Sequence, residues 1–441
     1  MNRFDKKVEL RLPDSLKWSG MNRLFKGEDL LPLWVADMDF EAPEPVLAAI
    51  RRRVDAGLFT YTELPSSLFE AVAGWLDRRF KWSVAPGDLL FAPGVVTLLR
   101  AAVLAFTQPG DSVVIQPPVY GPFGDAVTGQ GRELVLNPLK IEQGRYAMDF
   151  EDLEAKFRLT GAKLLLLCSP HNPAGRVWEE AELNRLAELC RQYGVAVASD
   201  EIHSDLILTG SHIPIASLPG MSERTVTFIA PSKTFNLAGL HTSFAVATDE
   251  TLRKALDQAL GYRSPNPLSV AAAEAAYREG EEWLEACLAY LRENVSFASG
   301  YLTERLPEAV VYVPEATYLL WVDLRAYGLS STELGRLLVQ EARVAVSGGG
   351  AFVSEGEGRV RINLATRREL LEEGLSRIAR ALGSLQSVDE AKTDTAEAGQ
   401  AEADEAEVGK TEVGKTEVGK TEVGKTDAGQ ADTGQAEAGE G

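Results

Sequence analysis

Cysteine is scarce in this chain of 441 residues: Cys168, Cys190 and Cys287 are the whole set. An odd, sparse set gives neither a disulfide framework nor the paired spacing of a zinc site. Two of them sit at apolar periodic positions, so all three read as reduced packing residues of a cytoplasmic protein without a metal site. No stretch approaches the ~20 apolar residues of a membrane span, and MNRFDKKVEL lacks the apolar core of a signal peptide. Positive charge is in deficit as well: 45 Lys and Arg against 65 Asp and Glu leave a net charge of −20. That balance argues against nucleic acid as a partner.

Aromatics and large aliphatics vanish from about Ser387, leaving Glu, Asp, Ala, Gly, Thr and Lys. Residues 387–441 cannot bury enough apolar surface to fold and are expected to form a disordered acidic tail. It repeats Glu-Val-Gly-Lys-Thr from Glu407, Glu412, Glu417 and Glu422, and holds about half of the net negative charge. Within it, Gly409 to Thr416 satisfies the letters of a Walker A loop. That loop needs a buried strand before it and an apolar-faced helix after it. Neither is there, so the match follows from the repeat and is no ATP site.

The chain as a whole is 45% hydrophobic, and the part before this tail is long enough for two domains with a sizeable core. Four short apolar runs each end in polar punctuation. SVVIQ (112–116) leads to Tyr120, KLLLLC (163–168) to Asn172, VAVAS (195–199) to Asp200, and TVTFIA (225–230) to Lys233. Continuous apolar runs separated by helical stretches predict parallel strands covered on both faces. One such stretch is 178–193, with Leu183, Leu186, Ala187, Leu189 and Cys190 at helical spacing and Gly194 as its cap. Ligands of open α/β sheets sit beyond the carboxyl ends of the strands, so these four residues are expected to share one cleft.

A desolvated lysine is a nucleophile toward carbonyl compounds. A buried carboxylate keeps a pyridine nitrogen protonated, an amide can bond the ring oxygen, and an aromatic can stack on the ring face. Together Lys233, Asp200, Asn172 and Tyr120 point to pyridoxal 5′-phosphate. Its phosphate would fit Pro93-Gly94-Val95-Val96, a turn opening into a helix with unpaired amides.

The chain resembles the fold-type I pyridoxal-phosphate enzymes, the aspartate aminotransferase superfamily (class I/II). Within them it is similar to the MalY/PatB-type C–S β-lyases, or cystathionine β-lyases. The resemblance rests on LPLWVADMDF (31–40), FTYTELP (59–65), PPVYGPF (117–123), SPHNPAGR (169–176), SDEIH (199–203), APSKTFNLAG (230–239) and RVRINLATRR (359–368), in this order. It covers residues 1 to about 386.

It implies an α/β architecture: a large domain over 46–284 around a mostly parallel seven-stranded sheet, and a smaller α+β domain from 1–45 with 285–386. Asp323 and Arg361 would lie in the smaller one. Lys233 would carry the cofactor and later take the Cα proton, while Asp200 would face the pyridine nitrogen, Asn172 the 3′-oxygen and Tyr120 the ring. Val95 and Val96 would offer backbone amides to the phosphate, with Ser232 adding a hydroxyl. His203 occupies a position where many relatives carry a tyrosine, and the bare residue reads equally as a hydrogen-bonded structural histidine. Tyr61 would reach the phosphate of a neighbouring subunit in a homodimer, although alone it reads as core packing. Arg361 would bind the substrate carboxylate, although alone it reads as the solvated face of an alternating strand.

One departure stands out. Where the general aminotransferase pattern has a phosphate-binding arginine, this chain has His241. The implied reaction is elimination of a thiol from an S-substituted L-cysteine such as L-cystathionine, giving pyruvate, ammonia and homocysteine. The alternative on the same fold is an amino-acid aminotransferase. A cofactor-binding regulator is a third reading, but about 30 residues before the match are too few for a winged helix.

Overall fold

The computed structural model describes residues 2–384. The acidic tail and its Walker-like letters lie outside the described residues. Two sheets organise the body. The larger has seven strands in the order Leu89–Ala92, Ser243–Val246, Thr225–Ile229, Ala196–Asp200, Leu164–Cys168, Ser112–Ile115 and Glu133–Leu136. Ser243–Val246 runs antiparallel to both neighbours, and the other six share one direction.

Burial explains why these runs are apolar throughout. Leu164, Leu166 and Cys168 point into one core cluster with Leu98, Leu99 and Leu256, while Leu165 and Leu167 point into another with Leu183, Leu186 and Leu189. Helices cover both faces, so the period-two alternation separates two cores instead of core from solvent. The helix Glu180–Tyr193 ends at Gly194, whose φ of 66° is the left-handed conformation glycine tolerates.

The smaller sheet has five strands, Leu31–Leu33, Val344–Gly348, Arg359–Asn363, Leu319–Asp323 and Val310–Tyr312. Leu31–Leu33 pairs in parallel with Val344, Ala345 and Val346, which ties the N-terminal segment to the C-terminal third of the body. The 25-residue helix Glu281–Arg305 serves both layers. Its Leu284 and Leu288 join the cluster of Trp75 and Phe244, and its Val295, Ala298 and Leu302 join that of the small sheet. It therefore runs unbroken across the expected boundary at residues 284 and 285.

Candidate active site

Five of the six co-directional strands hand a candidate site residue to one edge of the large sheet. Val95 opens the helix after Leu89–Ala92, Tyr120 follows Ser112–Ile115, and Asn172 follows Leu164–Cys168. Asp200 ends its own strand, and Lys233 sits in the short helix Pro231–Thr234 after Thr225–Ile229. The convergence expected at the strand ends is what the topology produces.

Lys233 retains some access to the cleft, and its Nζ donates to the Ala36 carbonyl at 2.6 Å. Burial lowers its pKa to about 8, with Asp37 and Asp200 opposing the fall and Arg361 adding to it. Asp200 is buried, and the hydrogen bond its carboxylate receives comes from Ile202 N at 3.1 Å. Burial lifts its pKa to about 7, against the Ile202 bond and the Lys233 charge. Asp200 can therefore hold or release a proton near neutrality, depending on what lies beside it.

Arg361 is 5% exposed, on a strand buried along its whole length, so the solvated-face reading is overturned. Both faces of that strand are covered, which a sequence alternating Arg, Val, Arg, Ile cannot reveal. Its guanidinium donates to Asn172 Oδ1 at 3.0 Å, Trp34 O at 3.1 Å and Ser347 Oγ at 3.3 Å, and lies 5.0 Å over the Phe352 ring. Its Nε has no hydrogen-bond partner among the described residues. Burial lowers its pKa to about 10, and the charges that oppose this belong to the Tyr120 and Tyr318 hydroxyls. Among the described residues no carboxylate pairs with it. A buried guanidinium without a counter-anion is a site for one.

Tyr120 is half exposed, and its two-residue strand pairs with Phe352–Val353 of the loop before Arg361. Burial raises its pKa, the Arg361 charge opposes this, and the Asp200 charge adds to it. His203 is buried, and among the described residues its Nδ1 has no partner, so the hydrogen-bonded structural reading is not the arrangement seen. Burial and then the charges of Lys233 and Arg361 hold its pKa down at about 3, which keeps the ring neutral.

The helix Val95–Phe106 starts after Gly94 with no side chain capping it, which leaves the first-turn amides for an outside acceptor. Ser232 sits one residue before Lys233 and is half-buried. His241 is exposed, with φ of 49°, two residues before Ser243, which pairs with Ala92. The antiparallel strand thus returns His241 to the edge where that helix begins.

Tyr61 stands apart. It is 94% exposed, on the connection between helices Glu44–Asp55 and Ser66–Phe80, which overturns core packing.

Sequence reasoning missed the backbone of Trp34–Asp37 as a wall of the site. Its carbonyls receive Arg361, Lys233, Tyr318 and Asn363. The polar pair Asp37 and Asp39 just past the apolar LPLWVA was the available signal. His171 was also passed over: it is buried beside Asn172, Nε2 lies 3.2 Å from Gln116 O, and burial lowers its pKa to about 4.

The family model for aminotransferase class I and II matches residues 28–378. The chain is 44% identical over 384 residues to cystathionine beta-lyase PatB of Bacillus subtilis, covering 86% of this chain and 99% of that one. Among solved structures, a PLP-bound putative aminotransferase of Clostridium difficile 630 superposes with a TM-score of 0.84 at 43% identity, covering 87% and 100% of the two chains. Cystalysin of Treponema denticola, whose structure contains pyridoxal 5′-phosphate, gives 0.83 at 32% identity with the same coverage. Sheet order, strand-end site and these likenesses agree, and the chain belongs to the aminotransferase class I and II family, on its MalY/PatB-type cystathionine beta-lyase branch.

Proposed function

We propose that the protein is a pyridoxal-phosphate-dependent carbon–sulfur β-lyase. It takes an S-substituted L-cysteine such as L-cystathionine and, with one water, yields pyruvate, ammonia and a free thiol. One observation carries the reading: at a single strand-end cluster, Arg361, Lys233 and Asp200 each lack an ion-pair partner among the described residues. That set complements a substrate carboxylate, a carbonyl carbon and a protonated ring nitrogen. The likeness to PatB directs the chemistry toward elimination.

The residues fit the cofactor. Asp200 has a carboxylate oxygen free for a cationic nitrogen, and Asn172 and His203 flank it on the same edge. The uncapped amides at Val95 and Val96, with the Ser232 hydroxyl, suit a phosphate. When bound, pyridoxal phosphate supplies an electrophilic carbon for the amine and a ring that accepts the electron pair left at Cα.

The chain does the rest. Arg361 grips the α-carboxylate and orients Cα. Lys233, with its pKa near neutrality, takes the Cα proton at Nζ, and a thiolate leaves from Cβ. Asp200 holds positive charge at the far end of the ring. Tyr120 borders the cleft, and the Phe352 ring backs the Arg361 guanidinium. Residues 46–284 would form the cofactor domain, and 1–45 with 285–386 the smaller domain that delivers Arg361.

The test is product analysis with L-cystathionine and no 2-oxo acid. Pyruvate and thiol in equal amounts over many turnovers support the lyase. Amino transfer that appears once a 2-oxo acid is supplied, without pyruvate, makes it an aminotransferase.

Exposed Leu58, Phe59 and Tyr61 lie together on one connection, a surface that fits a second copy of this chain. In that homodimer Tyr61 would donate its hydroxyl to the partner's bound phosphate. Tyr61→Phe keeps the apolar surface and removes one charge-assisted hydrogen bond, so cofactor affinity should fall about tenfold. Equilibrium dialysis measures this, with sedimentation to check that the dimer survives. Unchanged affinity in an intact dimer would count against the shared site.

A further inference from the structure

The segment Trp34–Phe40 holds the site through its main chain. Trp34 O accepts from Arg361 at 3.1 Å and from Ser347 Oγ at 3.0 Å. Ala36 O accepts from Lys233 at 2.6 Å and from the Tyr318 hydroxyl at 2.9 Å. Asp37 O accepts from Asn363 at 2.7 Å. Asn236 pins the far end, accepting from Met38 N and donating to Met38 O and Phe40 O. What fixes the middle is a charge cluster that the proposed chemistry does not use.

Lys17 is 2% exposed. Its Nζ lies 3.3 Å from Asp37 Oδ1, 3.1 Å from Asp39 Oδ1 and 3.3 Å from the Asp37 carbonyl. Asp39 is fixed further by Trp18 Nε1 at 2.8 Å. A lysine is almost never fully buried unless paired, and breaking such a pair strands the remaining charge.

The cluster also faces the reactive amine. The charged and titratable groups acting on Lys233 are Asp37, Arg361 and Asp200, with His203 beside them and the Tyr318 hydroxyl sharing Ala36 O. Those acting on Asp37 are Lys17, Asp39, Lys233 and Tyr318. After burial, Asp37 is the largest influence on Lys233, and it favours the ammonium form. Burial raises the Asp37 pKa, and Lys17 is the principal charge that opposes this.

Resting on the cofactor role of Lys233, we propose that Lys17 is a positioning residue for the active site. By pairing with Asp37 and Asp39 it fixes the carbonyls that receive Lys233 and Arg361, and it keeps an anion beside the reactive amine. Two consequences separate. Losing Lys17 loosens the Trp34–Asp39 main chain, which weakens substrate binding through Arg361. It also lets Asp37 take a proton, which leaves the Lys233 amine easier to deprotonate.

The test adds pyridoxal phosphate to apoprotein and follows the rate of covalent coupling, by visible absorbance, as a function of pH. Coupling needs the neutral amine, so the wild-type rate should rise through a midpoint of about 8. In Lys17→Met the midpoint should fall by about one pH unit, and the KM for L-cystathionine should rise several-fold. Asp37→Asn keeps the carbonyl and removes the charge, so it should lower the midpoint with a smaller change in KM. Lys17→Arg should restore both. If Lys17→Met does not fold, Asp37→Asn alone decides the electrostatic part. No coupling in the wild type would remove the cofactor reading together with this inference. Wild-type coupling with an unmoved midpoint in folded Lys17→Met and Asp37→Asn would overturn this inference alone.

Discussion

Lys233→Ala should lower kcat by at least about 10⁴-fold and abolish covalent retention of pyridoxal phosphate. The effect is large because one side chain is asked to do two things, to hold the cofactor and to move the Cα proton. Its position allows both: it follows the strand Thr225–Ile229, reaches the cleft, and parks its amine on the Ala36 carbonyl with a pKa of about 8. The substitution should leave the fold intact. Ala36 O keeps the Tyr318 hydroxyl at 2.9 Å, and the Asp205 carboxylate still anchors neighbouring Thr234 at 2.9 Å. Removing a partly desolvated ammonium also removes a cost. Borohydride reduction of the loaded wild type, followed by peptide mass mapping, should place the cofactor on Lys233 and on no other lysine. A tag on a different lysine, or normal turnover in Lys233→Ala, would end the assignment.

The part of this site legible in the sequence was the part written at strand ends. A continuous apolar run such as LLLLC is buried on both faces, so the first polar residues past it must emerge at the sheet edge. That logic reaches Asn172, Asp200 and Lys233 without further help. It fails for Arg361, because a strand alternating cationic and apolar residues looks half solvated unless the layer above it is known. It fails for Tyr61 in the opposite sense: an aromatic in FTYTELP is indistinguishable from core until its 94% exposure is seen. The Trp34–Asp37 carbonyls were marked only by the polar Asp37 and Asp39 past LPLWVA, since main-chain acceptors are identical at every residue. Lys17, among Ser15, Leu16 and Trp18, carries no local mark of burial, and its partners lie about twenty positions away.

Asp200→Asn should retain the cofactor and lose the chemistry, with kcat falling on the order of 10³-fold. Asparagine has the same shape, and its carbonyl oxygen can still accept the Ile202 N–H, so the strand end is undisturbed. What disappears is the negative charge that favours a proton on the ring nitrogen. Without it the electron pair left at Cα would be poorly stabilised, while the proposed attachment at Lys233 and phosphate contacts at Val95 and Val96 would be untouched. The apoprotein offers a second reading of the same charge. Burial holds the Asp200 pKa at about 7, above the 3.8 of an ordinary aspartate, so the ionised form destabilises the empty fold at higher pH. At pH 8 the Asn apoprotein should therefore melt above the wild type. As pH falls from 7 toward 3.8 the wild-type fold takes up a proton that the unfolded chain does not, and the gap should close. Adding pyridoxal phosphate supplies a cationic partner for the carboxylate and should reverse the order at pH 8. Melting curves of both proteins across this range, with and without cofactor, measure the effect. A wild type already more stable than Asp200→Asn without cofactor at pH 8 would show that the carboxylate is satisfied by the protein itself, and would undercut its assignment to the ring nitrogen.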